Sequence, residues 1–170
     1  MYIETERTVL RYFHMEDTDD LQEILGDEQV MEYLEPVYTR ERTEEFLRVF
    51  CIEGKNALAV VHKESGKVIG YVLFKNCGQQ EVYEIAWVFH RNFWRMGYAY
   101  EACQALIVYA FEHRGIQKIF AETIDSVRST GLMRKLGMQL EGIQKKQAKD
   151  SRGEWADLYL YGLLREEFKE

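Results

Sequence analysis

The feature that most restricts this chain is a change of hydrophobic period in its middle. Glu81–His90 carries Val82, Tyr83, Ile85, Trp87, Val88 and Phe89, and predicts a long strand. From Tyr98 the apolar residues recur instead as Ala99, Ala102, Cys103, Leu106, Ala110 and Phe111, one stripe of an α-helix ending before Gly115. The stretch between them delivers a strand directly into a helix start. Such a start leaves the backbone N–H groups of its first turn without partners and gathers partial positive charge there. An anion, most naturally a pyrophosphate, satisfies both. Gly97 and Ala99 permit close backbone approach, and Arg91 and Arg95 offer charge-assisted contacts. Junctions of this kind also occur without any ligand, so a purely structural role stays equally open at this point. The chain has no GxGxxG fingerprint and no GxxxxGK(S/T), which sets Rossmann and P-loop readings aside.

Around the junction, the pattern predicts strands at Thr8–Phe13, Asn56–His62, Lys67–Lys75, Ile116–Thr123, Met138–Ala148 and Trp155–Leu163. Glu64-Ser65-Gly66 and Ser151-Arg152-Gly153 are turn sequences that join neighbouring strands. A helix is expected from Glu16-Asp17 to Leu25, its acidic start suiting the positive end of the dipole. A short one over Gln29–Leu34 ends before Pro36. A third starts at a Thr39 cap and carries Phe46, Leu47, Phe50 and Cys51 on one face, and a fourth covers Ser129–Leu136, closed by Gly137. With no repeat, linker or low-complexity tract, residues 1–170 read as a single domain of mixed α/β (α+β) class.

No apolar run approaches the roughly 20 residues that span a bilayer, and the charged Met1–Arg11 does not read as a signal peptide. Cys51, Cys77 and Cys103 are odd in number and far apart, which suggests free thiols in a reducing compartment. A cytoplasmic protein without a membrane partner is therefore expected. His14, His62, His90 and His113 lack metal-ligand spacing, so no metal is expected. The net charge of −7 removes the general attraction to phosphate backbones, so nucleic acid is not an expected partner. A cationic amine suits that charge better, although solubility explains it equally well.

Phe93-Trp94-Arg95-Met96-Gly97-Tyr98-Ala99-Tyr100-Glu101-Ala102 resembles the acetyl-CoA signature of the GNAT superfamily of N-acetyltransferases. More narrowly it resembles the Y-W-G-K-G-Y-A-T-E-A junction of the RimJ/RimL-type branch, with Arg95-Met96 replacing Gly-Lys to give a bulkier loop. Ile3–Arg11 is similar to that branch's TERLxLR opening, and Glu84-Ile85-Ala86-Trp87-Val88 to its EIGYW strand. Ser126–Gly142 resembles its NxxSxxxxEKLGFxxEG segment, and Trp155-Ala156-Asp157-Leu158-Tyr159 completes the match. Ser126 takes the place of the asparagine, and Ser129 keeps the serine. The resemblance covers essentially the whole chain. It implies the GNAT fold, a central, mostly antiparallel sheet that splays beside the Glu84–Phe89 strand and is flanked by helices. It also implies acetyl-CoA as co-substrate and direct transfer in a ternary complex, without an acyl-enzyme cysteine. Trp87, Val88 and Phe89 would then hold the thioester and pantetheine arm. Trp94, Arg95, Met96, Gly97, Tyr98 and Ala99 would form the diphosphate loop, and Ser126 and Ser129 would stand near the coenzyme.

Acetyl transfer needs a neutral amine and a group to protonate the departing thiolate. An α-amino group, with a pKa of about 8, demands little of a base, whereas a lysine at about 10.4 demands much more. Glu84 is the candidate base, directly or through water; a strand-edge charge or substrate anchor is an equal alternative. Ser129 is the candidate acid, with Ser126 as substitute, although a serine at a helix start is also a common cap. Cys103 falls on the apolar stripe and reads as core. Lys145-Lys146 with Lys149 reads as a solvated strand face or a contact for the 3′-phosphate. Glu16-Asp17 and Asp19-Asp20 read as a helix start or as recognition of a cationic acceptor. That acceptor is expected to be a protein N-terminus, or else a polyamine, aminoglycoside or amino acid. A non-catalytic acyl-CoA-binding module is the rival, favoured by Arg95-Met96 and Ser126. Both monomer and homodimer remain open.

Overall fold

A computed structural model describes residues 1–79 and 81–169. One eight-stranded sheet takes strands from nearly the whole chain: β1 (Tyr2–Glu4), β2 (Thr8–Tyr12), β3 (Ala57–His62), β4 (Val68–Asn76), β5 (Val82–Phe89), β6 (Lys118–Thr123), β7 (Gln139–Lys149) and β8 (Trp155–Leu164). The spatial order is β1-β2-β3-β4-β5-β6-β8-β7. Every neighbouring pair is antiparallel except β5 and β6, which run parallel. The helices are α1 (Thr18–Leu25), α2 (Glu28–Met31), α3 (Arg40–Glu45), α4 (Tyr98–His113) and α5 (Arg128–Lys135). The mixed α/β class and the splayed, mostly antiparallel sheet agree with expectation. None of the described helices is long and apolar enough to cross a membrane.

Side-chain alternation along β5 divides the core between the two sheet faces. Ile85 and Phe89 pack with Leu106, Ile107 and Ala110 of α4, the helix that fills one face. Val88 points the other way, into a cluster with Leu21, Ile24 and Leu25 of α1 and with Leu47 and Cys51. Those last two follow α3, where Phe46–Glu53 continues the helix in wider turns, as in the Gly54 N–H bond to the Val49 carbonyl at 3.0 Å.

Parallel pairing of β5 with β6 is short. Val82, Tyr83 and Glu84 match Lys118, Ile119 and Phe120, and there the pairing stops. β6 stays fully paired with β8, and β5 with β4, so the sheet opens between Ile85–Phe89 and Ala121–Thr123. Two details depart from the sequence pattern. β1 was not expected, being only three residues long with Tyr2 and Glu4 exposed. The second helix ends at Met31 rather than at Leu34, and starts from Asp27, whose carboxylate accepts from the Gln29 and Val30 N–H groups at 2.8 and 3.3 Å.

Candidate active site

The opening of the sheet leaves polar backbone facing a gap. His90 N–H donates to the Ile69 carbonyl at 2.8 Å, and Cys77 N–H to the Val82 carbonyl at 3.5 Å. In an antiparallel ladder these bonds recur at every second residue, so the even-numbered residues of β5 address β4. Trp87 and Phe89 therefore turn their backbone groups toward the gap. The Phe89 carbonyl confirms the direction, because it accepts from Trp94 Nε1 at 2.8 Å.

A cleft of about 750 Å³ runs from this edge to the start of α4. Trp87, Val88 and Phe89 form its strand wall, and Trp94, Arg95, Gly97, Tyr98 and Ala99 its helix end. Gly97 precedes α4 with φ 86° and Arg95 has φ 62°, so the loop reaches the helix through two left-handed turns. The third wall is α5. Arg128, Ser129, Leu132 and Lys135 face the cleft, with Thr123 and Asp125 at its approach. Arg91, Arg95, Arg128 and Lys135 give the cleft a cationic lining. Open amides, apolar walls and a cationic lining suit a thioester on a flexible arm that ends in a diphosphate.

Ser129 does not cap α5. The helix starts from Val127 without a side-chain cap, and two residues earlier Asp125 accepts from the Val127 and Arg128 N–H groups at 3.1 and 2.9 Å, while Arg128 Nε closes on its other oxygen at 3.1 Å. None of these bonds uses the Ser129 hydroxyl, which is left facing the cleft.

Residues 7–139 match the family described as an acetyltransferase (GNAT) domain. The chain belongs to that acetyltransferase family. The N-acetyltransferase YnaD of Bacillus subtilis (strain 168), itself uncharacterized, is 34% identical over 173 residues that span 99% of each protein. A GNAT-family acetyltransferase of Bacillus anthracis superposes with a TM-score of 0.90 at 32% identity, over 98% of this chain and 99% of that one. RimL, a ribosomal L7/L12 alpha-N-protein acetyltransferase solved with coenzyme A, shares the fold with a TM-score of 0.82 at 16% identity, over 96% of this chain and 98% of its own.

Within this GNAT cleft most of the residues singled out in the sequence come together, and three stand off its wall. Met96 is exposed, and its carbonyl accepts from Arg7 Nη1 at 2.9 Å. Ser126 is exposed beside the α5 start, where its carbonyl accepts from Thr130 Oγ1 at 2.8 Å. Glu84 lies where β5 and β6 separate, on the sheet face opposite α4, with Lys75 Nζ at 3.1 Å. On the next strand, Glu122 has its carboxyl raised above the ordinary value, by desolvation first and by the Glu84 charge second, with Lys75 opposing.

The acidic run near the N-terminus holds the fold together away from the cleft. Asp17 forms a double ion pair with Arg11 at 2.8 Å, and Asp20 accepts from the Val68 N–H at 2.8 Å, docking α1 on β4. Lys145, Lys146 and Lys149 lie on the exposed edge strand β7. Sequence reasoning missed the α5 cations Arg128 and Lys135 as site residues. Their signal is a seven-residue spacing that brackets Ser129 on one helical face.

Proposed function

We propose that the protein transfers the acetyl group of acetyl-CoA to a primary amine by direct attack, with the α-amino group of a protein or peptide as acceptor. One observation carries this reading: the open backbone edge at Trp87 and Phe89 leads straight into a cation-lined helix start. The two N–H groups hold the thioester carbonyl and the pantetheine arm, and the Arg95–Ala99 loop receives the diphosphate. As the bond from nitrogen to the acetyl carbon forms, Glu84 accepts the amine proton, directly or through a water. The carbon–sulfur bond breaks, and the Ser129 hydroxyl protonates the departing thiolate, recovering its proton from solvent.

The acceptor side is a second cavity of about 740 Å³ that shares Gln29, Trp94 and Arg128 with the coenzyme cleft. Glu28, Glu32 and Glu35 lie on its wall, with Ser151 and Arg152 of the β7–β8 turn opposite. A carboxylate-bearing wall favours an amine, and an α-amino group is already partly neutral near pH 7. The fold shared with RimL supports a protein N-terminus. A polyamine is the second reading, favoured by the three glutamates together.

Following free-thiol release from acetyl-CoA with peptides of free or blocked N-terminus, spermidine and aminoglycosides tests the reading. Release is expected with the free peptides and not with the blocked ones. Release with spermidine alone would shift the acceptor to polyamines. No release with any amine, together with no rise in melting temperature on adding acetyl-CoA, would reject the reading.

A further inference from the structure

The loop before α4 is held from outside the cleft by a residue far away in sequence. Arg7, in the turn between β1 and β2, donates from Nε to Glu101 Oε2 at 2.7 Å and from its backbone N–H to Glu101 Oε1 at 2.9 Å. The Thr5 hydroxyl donates to the same Oε1 at 2.6 Å. Arg7 Nη1 reaches the Met96 carbonyl at 2.9 Å, and the guanidinium lies over the Tyr98 ring at 4.2 Å. Nη2 stands 3.3 Å from the position a Cβ on Gly97 would take. One side chain thus touches Met96, Gly97, Tyr98 and the first turn of α4.

Two features of the loop call for such a clamp. Arg95 is a non-glycine residue at φ 62°, a conformation that L-residues resist and that neighbouring structure must enforce. Glu101 lies in the first turn of α4, where its negative charge opposes an approaching diphosphate. Arg7 neutralises that charge across a fork of hydrogen bonds. Burial pushes the Glu101 carboxyl up, but the bonds from Thr5 and Arg7 outweigh it and hold the group below its ordinary range, so it stays ionised and paired.

We propose that Arg7 is a positioning residue for coenzyme recognition: by clamping Met96 and Glu101 it fixes the Arg95–Tyr98 loop in the form that receives the diphosphate and cancels the opposing charge. The inference rests on the acetyl-CoA reading above. Because the clamp acts on the diphosphate loop alone, its loss weakens ligands that carry the diphosphate and spares those that end at the pantetheine arm.

Calorimetric titration of wild type and Arg7→Gln with CoA and with pantetheine, which lacks the nucleotide and diphosphate, separates the possibilities. The expected result is CoA binding weakened about tenfold, in keeping with the loss of a charge-assisted contact, while pantetheine binding is unchanged. Unchanged CoA affinity, or the same factor lost for both ligands, overturns the inference and leaves the acetyl-CoA reading intact. Wild type failing to bind CoA removes that reading and this inference with it. Arg7→Lys keeps the cation but not the fork between Met96 and Glu101. It provides the same comparison if Arg7→Gln does not fold, with the same selective loss expected.

Discussion

Two carboxylates stand close to where β5 and β6 separate, and their surroundings give them different work. Glu84 has Lys75 at 3.1 Å and is largely covered, at the point where the two strands part. Glu84→Gln is expected to lower kcat by about a hundredfold at neutral pH, with the deficit shrinking as pH rises and the amine supplies its own neutral fraction. A kcat unchanged across the profile would remove Glu84 from proton transfer. The Glu122 carboxyl is raised, by desolvation first and by the Glu84 charge second. The folded state therefore binds this proton more tightly than the unfolded state, and stability falls as pH rises through the window above the ordinary glutamate value. Glu122→Gln removes that loss, so its melting temperature should gain on wild type as pH rises above the ordinary glutamate value. Ser129 and Asp125 divide in the same way: Ser129→Ala should cut turnover about tenfold with no change in melting, whereas Asp125→Ala should cost about 1–2 kcal/mol of stability through the lost bonds to the Val127 and Arg128 amides. Ser129 could be singled out from the motif at Ser126–Gly142. That it is free of the capping role could not, because the sequence does not say which of Asp125, Ser126 and Ser129 the first-turn amides choose.

The strand-to-helix junction depends on loop shape more than on any single side chain. Gly97 carries φ 86°, and a Cβ there would crowd Arg7 Nη2 at 3.3 Å. Gly97→Ala should therefore cost about 1–2 kcal/mol from the left-handed backbone alone. It should also raise the KM for acetyl-CoA more than it lowers kcat; the reverse split would place the loop outside coenzyme binding. This junction was the most legible part of the chain, since the switch from period two to period 3.6 marks both elements and the glycine marks their meeting. α4 and β5 consequently appear almost where the pattern puts them, at Tyr98–His113 and Val82–Phe89. The clamp upon it was not legible. β1 is too short and too exposed to show alternation, and the contact of Arg7 with Glu101 exists only once β1, β2 and α4 have packed together. The wide turns over Phe46–Glu53 were equally hidden, because the apolar face at Phe46, Leu47, Phe50 and Cys51 satisfies an ordinary helix just as well.

At the scale of the molecule, the sheet is two ladders joined at a narrow place. β1 to β5 form one continuous antiparallel ladder, β6 to β8 another, and the two meet in a short parallel stretch with the register Val82–Lys118, Tyr83–Ile119 and Glu84–Phe120. Beneath the join, α4 and its cluster reach both sides, with Ile85 and Phe89 from one ladder and Ile119, Ala121 and Tyr161 from the other. Past Glu84 nothing pairs the strands across the gap, so a ligand bonding the Trp87 and Phe89 amides while touching α5 spans both ladders. Binding of that kind should stabilise the whole fold rather than a loop. At a concentration one hundred times its Kd, acetyl-CoA should add about 2.7 kcal/mol. For a domain of this size that corresponds to a melting shift of roughly 5–10 °C. Amide hydrogen exchange gives the sharper reading. The Val88 and His90 amides already belong to the ladder with β4 and should change little, whereas those of Trp87 and Phe89 face the gap and should slow markedly when coenzyme is added. Slowing of all four to the same degree would mean general stiffening of β5, and slowing of none would take the strand edge out of the coenzyme site altogether.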